Sequence, residues 1–191
     1  MVTEIRIHFE GDHKLRPGFR AFLKEVYEAA RSIRCRVQLV AAGAEPIPDF
    51  KDGLATHPAA WNIMLIDSEG PDDGKLFSQL RQQTNLEPSV EDSVFWMVQL
   101  MEAWFLADTA ALSSFYGQGF REAALPGNPK VEEVPKQDVL AGLKRATETT
   151  TKGDYHKTRH APRLLELIDP EVVRRVSPNC RRLFEKVLAR L

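Results

Sequence analysis

The sequence predicts an α/β fold, with a mostly parallel four-stranded sheet flanked by helices and a helical C-terminal part. Two observations carry this. In the front half, short strand-like runs, several with apolar residues at alternate positions, take turns with stretches of helical spacing, the order that builds a parallel sheet with helices on its faces. Beyond residue 116 no further strand pattern occurs, and helical spacing resumes after a loop rich in Gly and Pro. Residues 1–116 are therefore expected to form the α/β core, and residues 117–191 a long loop and helical extension of the same domain.

Residues 3–9 set Ile5, Ile7 and Phe9 on one face and Glu4, Arg6 and His8 on the other, a period-two strand. The charged face predicts a strand that is not fully buried on both sides. Gly11, Pro17 and Gly18 break the pattern, and residues 19–31 take helical spacing through Phe22, Leu23, Val26, Tyr27 and Ala30. Residues 34–41 alternate again, with Cys35, Val37 and Leu39 on one face. Residues 42–48 read as loop and 49–57 as a short helix ended by Pro58. Residues 62–66 are mostly apolar and close on Asp67, as a buried central strand reads. A helix is expected over 75–83, a strand over 93–98 (SVFWMV) and a helix over 101–115. Periodicity leaves open whether that last block is strand and then helix, or one continuous helix. The loop through Gly117, Gly119, Pro126, Gly127, Pro129 and Pro135 reads as either a functional insertion or a disordered excursion. Helices are expected over 137–148, 160–168, 170–176 and 178–191. The last two open with Asp169 before Pro170 and Ser177 before Pro178, a small polar cap followed by proline in the first turn.

At 191 residues, 43% apolar and 28% charged, the chain suits one domain with a substantial core. No run approaches the roughly 18 apolar residues that cross a bilayer. The start MVTEIRIHF carries charges within its apolar run and lacks the layout of a signal peptide, so no membrane association and a cytoplasmic location are expected. Cys35 and Cys180 stand far apart without CxxC spacing, which suggests neither a zinc site nor a disulfide scaffold. The absence of GxxxxGK[ST] means that ATP hydrolysis is not encoded in this stretch. The net charge of −1 conceals an asymmetry: from Lys144 onward there are twelve Lys and Arg against six Asp and Glu, and in the rest 14 against 21. Such a basic stretch is a nucleic-acid footprint, a docking face for an acidic partner, or simply the solvated side of amphipathic helices.

Function is suggested by where acids meet strand ends, because ligands of parallel sheets gather beyond the carboxyl ends of the strands. The first strand runs into Glu10, Gly11 and Asp12, and the third into Asp67, with Glu69 two residues on. Carboxylate oxygens are the hard ligands that Mg2+ or Mn2+ takes, and Gly11 permits a tight turn beside them. A lone acid at a strand end is usually a turn residue; two strands ending this way point to a shared cation. Glu102 lies inside the apolar run WMVQLMEAWFLAD, where a charge requires a partner or a metal. Capping of the following helix is its competing reading. Asp108 falls off that face and reads as structural.

An apolar strand ending in Glu-Gly, followed by a later strand ending in two acids one residue apart, resembles the Toprim fold of type IA and type II topoisomerases, bacterial primases and OLD-family nucleases. More narrowly, IHFEGDHKLRPGF, LIDSEGP, MVQLMEAWFLAD and KTRHAPRLLELIDPEVVRRVSPNCRRLF resemble the Toprim-like family called domain of unknown function 4276, over nearly the whole chain. Two departures accompany the resemblance: Glu69 stands where Toprim proteins usually carry a second Asp, and Lys14 where many carry an acid. The resemblance implies magnesium- or manganese-dependent phosphodiester chemistry, with Asp67 and Glu69 as metal ligands and Glu10 as ligand of a second ion or general base. Glu102 would complete or orient the metal shell. OLD-like nucleases also use a lysine, for which Lys157 is the candidate; a solvated linker lysine is the plainer reading. Lys14, Arg16, His156, Arg159 and His160 are the expected nucleic-acid contacts. Tyr27, Tyr116 and Tyr155 have no second domain to present them as a strand-passing nucleophile. The family resemblance further implies an effector subunit of a genome-defence system, governed by a separate ATPase of the ABC or SMC type. A non-catalytic interaction subunit and a phosphatase acting on small molecules are the alternative readings, and self-association is left open.

Overall fold

The structure, a computed structural model, describes residues 2–191. Four strands, β1 (Glu4–Phe9), β2 (Arg36–Ala41), β3 (Trp61–Asp67) and β4 (Val94–Met97), form one sheet in the order β2-β1-β3-β4, with every pairing parallel. Each strand pair therefore needs a crossover. The first uses α1 (Arg16–Phe22) and α2 (Lys24–Ser32), the second α3 (Pro46–Thr56), the third α4 (Leu76–Thr84). After β4 come α5 (Ala103–Ala107), α6 (Thr109–Tyr116), α7 (Lys136–Thr147), α8 (Lys157–Leu167), α9 (Pro170–Val176) and α10 (Pro178–Leu188). No helix among the described residues is long and apolar enough to cross a membrane.

Strand alternation divides the core in two. Ile5, Ile7, Phe9, Ile63, Leu65, Phe95 and Met97 point to one side, where they join a cluster that runs on through Trp104, Leu143, Leu165 and Phe184 to Val187. Met64, Ile66 and Val94 point to the other side, packing with Phe50 and Leu86 beneath α3 and α4. β3 is buried along its whole length, as its composition predicts. The charged face of β1 is not fully buried, as expected: Glu4 and Arg6 stay partly exposed, although the strand lies inside the sheet. Glu4 pairs with Arg6 and Arg36 at 3.0 and 2.9 Å, and His8 alone is buried, with its Nε2 3.2 Å from Asn62 Oδ1. Mutual pairing makes that burial tolerable.

Several boundaries move for local reasons. The single helix expected over 19–31 is two helices, broken at Leu23 (φ −91°, ψ 20°) and begun three residues early, with Pro17 in the first turn. α3 likewise starts at Pro46, inside the expected loop. The block after Ser93 is strand and then helix, and the helix itself divides at Asp108, whose carboxylate accepts from the Ala111 N–H at 3.0 Å and caps α6. Its other oxygen accepts from the Asp169 N–H at 2.9 Å. The 117–135 loop packs onto the body: it holds two short 3-10 turns (Glu122–Ala124 and Val131–Glu133), and Val131 and Val134 are buried in the main core. Asp169 and Ser177 cap α9 and α10 as expected.

α1 and α8 touch at Gly18, where a methyl group would lie 2.6 Å from both Leu165 Cβ and the Pro162 carbonyl oxygen. Gly18→Ala is expected to destabilise the fold by about 1–3 kcal/mol through overpacking, read as a lower urea midpoint. An unchanged midpoint would mean that the two helices part freely.

Candidate metal centre

The parallel register places the ends of β1 and β3 side by side, Phe9 opposite Leu65. Glu10 and Asp67 follow at once on the same rim. Gly11 turns the chain there with φ 125°, and its N–H and C=O bridge to Gly43 at 2.7 and 3.1 Å. One Glu10 oxygen accepts from the Asp67 N–H at 3.1 Å. Asp67 in turn accepts from the Met101 N–H at 2.8 Å, at the turn after β4. Glu69 sits in the left-handed region (φ 61°), held by a bond from its N–H to the Gln99 carbonyl at 2.9 Å. Carboxylate oxygens of Glu10, Asp67 and Glu69 all fall within 4.8 Å of one another.

Two lysines flank this group. Lys157 Nζ, in the first turn of α8, lies 3.5 Å from Asp67 Oδ2 and 3.8 Å from Glu102 Oε2. Lys136, at the start of α7, pairs with Glu69, and its N–H donates to Gln99 Oε1 at 2.9 Å. Glu102 is fully buried; its Oε1 accepts from Tyr155 Oη at 2.9 Å, and its Oε2 has no hydrogen-bond partner.

The electrostatics follow from crowding. Burial raises the Asp67 carboxyl to about 7, reinforced by Glu10 and Glu102 and opposed by Lys157 and the Met101 N–H. Burial also raises Glu10, which the Asp67 N–H and Lys157 partly offset. Lys157 is raised: burial works against its charge, but Glu102, Asp67 and Glu10 together outweigh it. Tyr155 is raised by burial and by the neighbouring Glu102, so its hydroxyl stays a donor.

The donor set fits a hard divalent cation. It consists of carboxylate oxygens alone, one almost wholly buried, with an unbonded buried oxygen on Glu102 beside it. Three acids this close repel unless a proton, a lysine or a metal lies among them.

The sequence matches the family described as Domain of unknown function (DUF4276) over residues 12–188. This chain belongs to that family. The fold of this DUF4276 protein is similar to that of the C-terminal region of the Burkholderia pseudomallei OLD protein. The TM-score is 0.52 at 11% identity, over 98% of this chain and 97% of that one. The four-stranded parallel sheet with its helical C-terminal part is the α/β architecture that the sequence predicts, and that region shares it. Comparison with curated proteins gives no match.

Of the residues singled out in the sequence of this DUF4276 protein, Glu10, Asp67 and Glu69 converge. Glu102 stands behind them, joined to Asp67 through Lys157, and lies outside the close group of three. It occupies the cap position of α5 without a side-chain capping bond. Lys14, Arg16, His156 and Arg159 are exposed, and Lys14 and Lys157 line one small hollow of about 100 Å³. His160 corrects its expectation as a nucleic-acid contact. It is buried, its Nδ1 accepting from the His156 N–H at 3.1 Å and lying 3.0 Å from Tyr116 Oη. Burial and neighbouring cations lower its pKa, so it acts as a neutral brace for the start of α8. Lys136, Gln99 and Tyr155 left no signal in the sequence as site partners, because pairing across 30 to 67 positions leaves no periodic trace.

An acid raised by burial makes stability depend on pH. Unfolded, the Asp67 carboxyl titrates near 3.8, and folded at about 7. The folded chain therefore holds the extra proton, and its stability falls as pH rises through that window. Without divalent ions, thermal stability is expected to drop between pH 4 and 8, by up to about 4 kcal/mol. Asp67→Asn should flatten the drop, and added Mn2+ should reverse it in the wild type only. A wild-type melting profile flat over that range would contradict the buried charge.

Proposed function

We propose that this DUF4276 protein is a divalent-metal-dependent nuclease of Toprim type, hydrolysing phosphodiester bonds with Mg2+ or Mn2+. The observation that carries the reading is the convergence of Glu10, Asp67 and Glu69 at the carboxyl rim of the sheet, with Lys157 against them. Glu10, Asp67 and Glu69 would hold the ion. When bound, the ion supplies concentrated positive charge that polarises a phosphoryl oxygen.

The remaining work falls to side chains. Glu10 has one oxygen tethered by the Asp67 N–H, which leaves the other to receive a proton. With its pKa raised by burial, it is suited to take that proton from an attacking water. Lys157, braced by Asp67 and Glu102, offers a fixed cation for the charge that develops on the phosphate. Glu102, bound to Tyr155, orients Lys157 rather than facing the substrate. Exposed Lys14, Arg16 and Arg159 supply positive charge along the approach, and exposed His156 offers a hydrogen-bonding ring beside them.

The family resemblance and the lack of a nucleotide-binding loop in this sequence support a further element: an effector role in genome defence, under a separate ATPase subunit.

The test is cleavage of labelled DNA and RNA in Mg2+ or Mn2+, alone and with a candidate ATPase of the ABC or SMC type. Glu10→Gln, Asp67→Asn and Lys157→Gln are each expected to lose at least about 100-fold in rate, and chelation should abolish activity. Activity that survives the two acid substitutions would remove this site. A wild type that cleaves nothing yet binds the ATPase would favour the non-catalytic interaction subunit.

A further inference from the structure

The opposite pole of the sheet carries a second concentration of charge, of reversed sign. Arg20 of α1, Arg31 of α2, Arg34 in the turn before β2 and Arg36 at its first residue line one open hollow of about 450 Å³, floored by Tyr27 and Cys35. No carboxylate lines it. Of the nearby acids, Glu28 pairs with Lys24 at 3.6 Å and Glu25 with Arg174 at 2.8 Å, while Glu4 pairs with Arg6 and with Arg36 of the hollow itself. Arg20, Arg31 and Arg34 form no ion pair among the described residues, and all four arginines are exposed. The hollow is shaped rather than incidental. Arg34 holds a left-handed backbone (φ 59°), and the Arg20 guanidinium stacks 4.8 Å over the Tyr27 ring.

The guanidinium groups of Arg20, Arg31 and Arg34, unpaired among the described residues, repel each other across one space, and Arg36 adds a fourth that Glu4 already balances. An oxyanion resolves that repulsion, and planar arginine forks match phosphate oxygens in geometry as well as charge. The one aromatic ring in the hollow already carries Arg20 on one face, which competes with the stacking of a base. The lining therefore reads phosphate, not sequence.

We infer that this hollow is a phosphate-binding site that grips the backbone of a nucleic acid away from the carboxylate rim. The choice of nucleic acid over other phosphate ligands rests on the phosphodiester chemistry proposed above; the anion site itself does not. Six residues of β1 separate the two poles, roughly 20 Å at about 3.3 Å per residue. A duplex covers that length in about six steps of 3.4 Å. One end of the substrate would lie at the acids while another part is anchored here.

The experiment is fluorescence anisotropy of labelled duplex and single-stranded oligonucleotides in EDTA, where no cleavage intervenes. It compares the wild type, the double variant Arg31→Gln/Arg34→Asn and the single variant Arg31→Glu. Asn tolerates the left-handed backbone at position 34, and both side chains are exposed, so thermal stability should be retained; the single variant provides a second reading. Weaker binding by about tenfold is expected in the double variant, with the dependence of log affinity on log salt shallower by nearly 2, one phosphate contact per lost arginine. Inorganic pyrophosphate should displace the oligonucleotide from the wild type and less so from the variants. Unchanged affinity and salt slope in both variants would overturn the inference. Pyrophosphate binding that is lost in the variants while oligonucleotide binding stays the same would overturn the nucleic-acid assignment. Asp67→Asn should bind with the wild-type slope attributable to this site, so failed hydrolysis and failed anchoring remain separate results.

Discussion

Everything at the carboxyl rim depends on one hydrogen bond, from the Asp67 N–H to the Glu10 carboxylate. It exists because β1 and β3 pair in parallel with Phe9 opposite Leu65, so that the next residue of one strand reaches the backbone just beyond the other. The bond fixes Glu10 next to Asp67 at the cost of crowding two acids in a place with little water. The rest of the site reads as a response to that crowding. The Met101 N–H holds Asp67 from the far side, Lys157 supplies a counter-charge, and Lys136 takes up Glu69. None of these partners comes from β1 or β3.

That division of labour gives the helical C-terminal part its purpose. α7 and α8 deliver the two lysines, and the segment between them brings Tyr155 to the buried Glu102. The start of α8 is itself fastened, since His160 receives the His156 N–H and Gly18 lets α1 lie close against the same helix. The sheet thus concentrates negative charge while the helices meter the positive charge that balances it. An arrangement of this kind favours a ligand able to replace the lysines' contribution, which a divalent cation does with fewer constraints on side-chain reach.

Much of this was legible in the residues, for physical reasons that differ by element. β3 announced itself because a strand covered on both faces must be apolar throughout, and the acids closing β1 and β3 were visible because strand ends fix where side chains gather. The caps at Asp169 and Ser177 are local chemistry, and local chemistry reads well from sequence. What escaped was tertiary. The partners of the β1 polar face lie far off in sequence, with Glu4 meeting Arg36 across 32 positions. The break at Leu23 has no Gly or Pro to mark it. His160 looked like a surface contact because nothing in its neighbours declares that Tyr116 waits 44 residues earlier to close over it. Likewise, Glu102 was rightly suspected of needing a partner, while the identity of that partner, Tyr155, was hidden by distance.

The main core draws Ile5 and Ile7 together with Leu183, Phe184 and Val187. During synthesis on the ribosome, β1 emerges long before α10 exists to cover that face. A chain in that interval exposes a half-finished apolar surface and three acids not yet matched by Lys136 and Lys157. Acid clustering and lysine supply are thereby separated in time: the acids are balanced only after the later helices have docked.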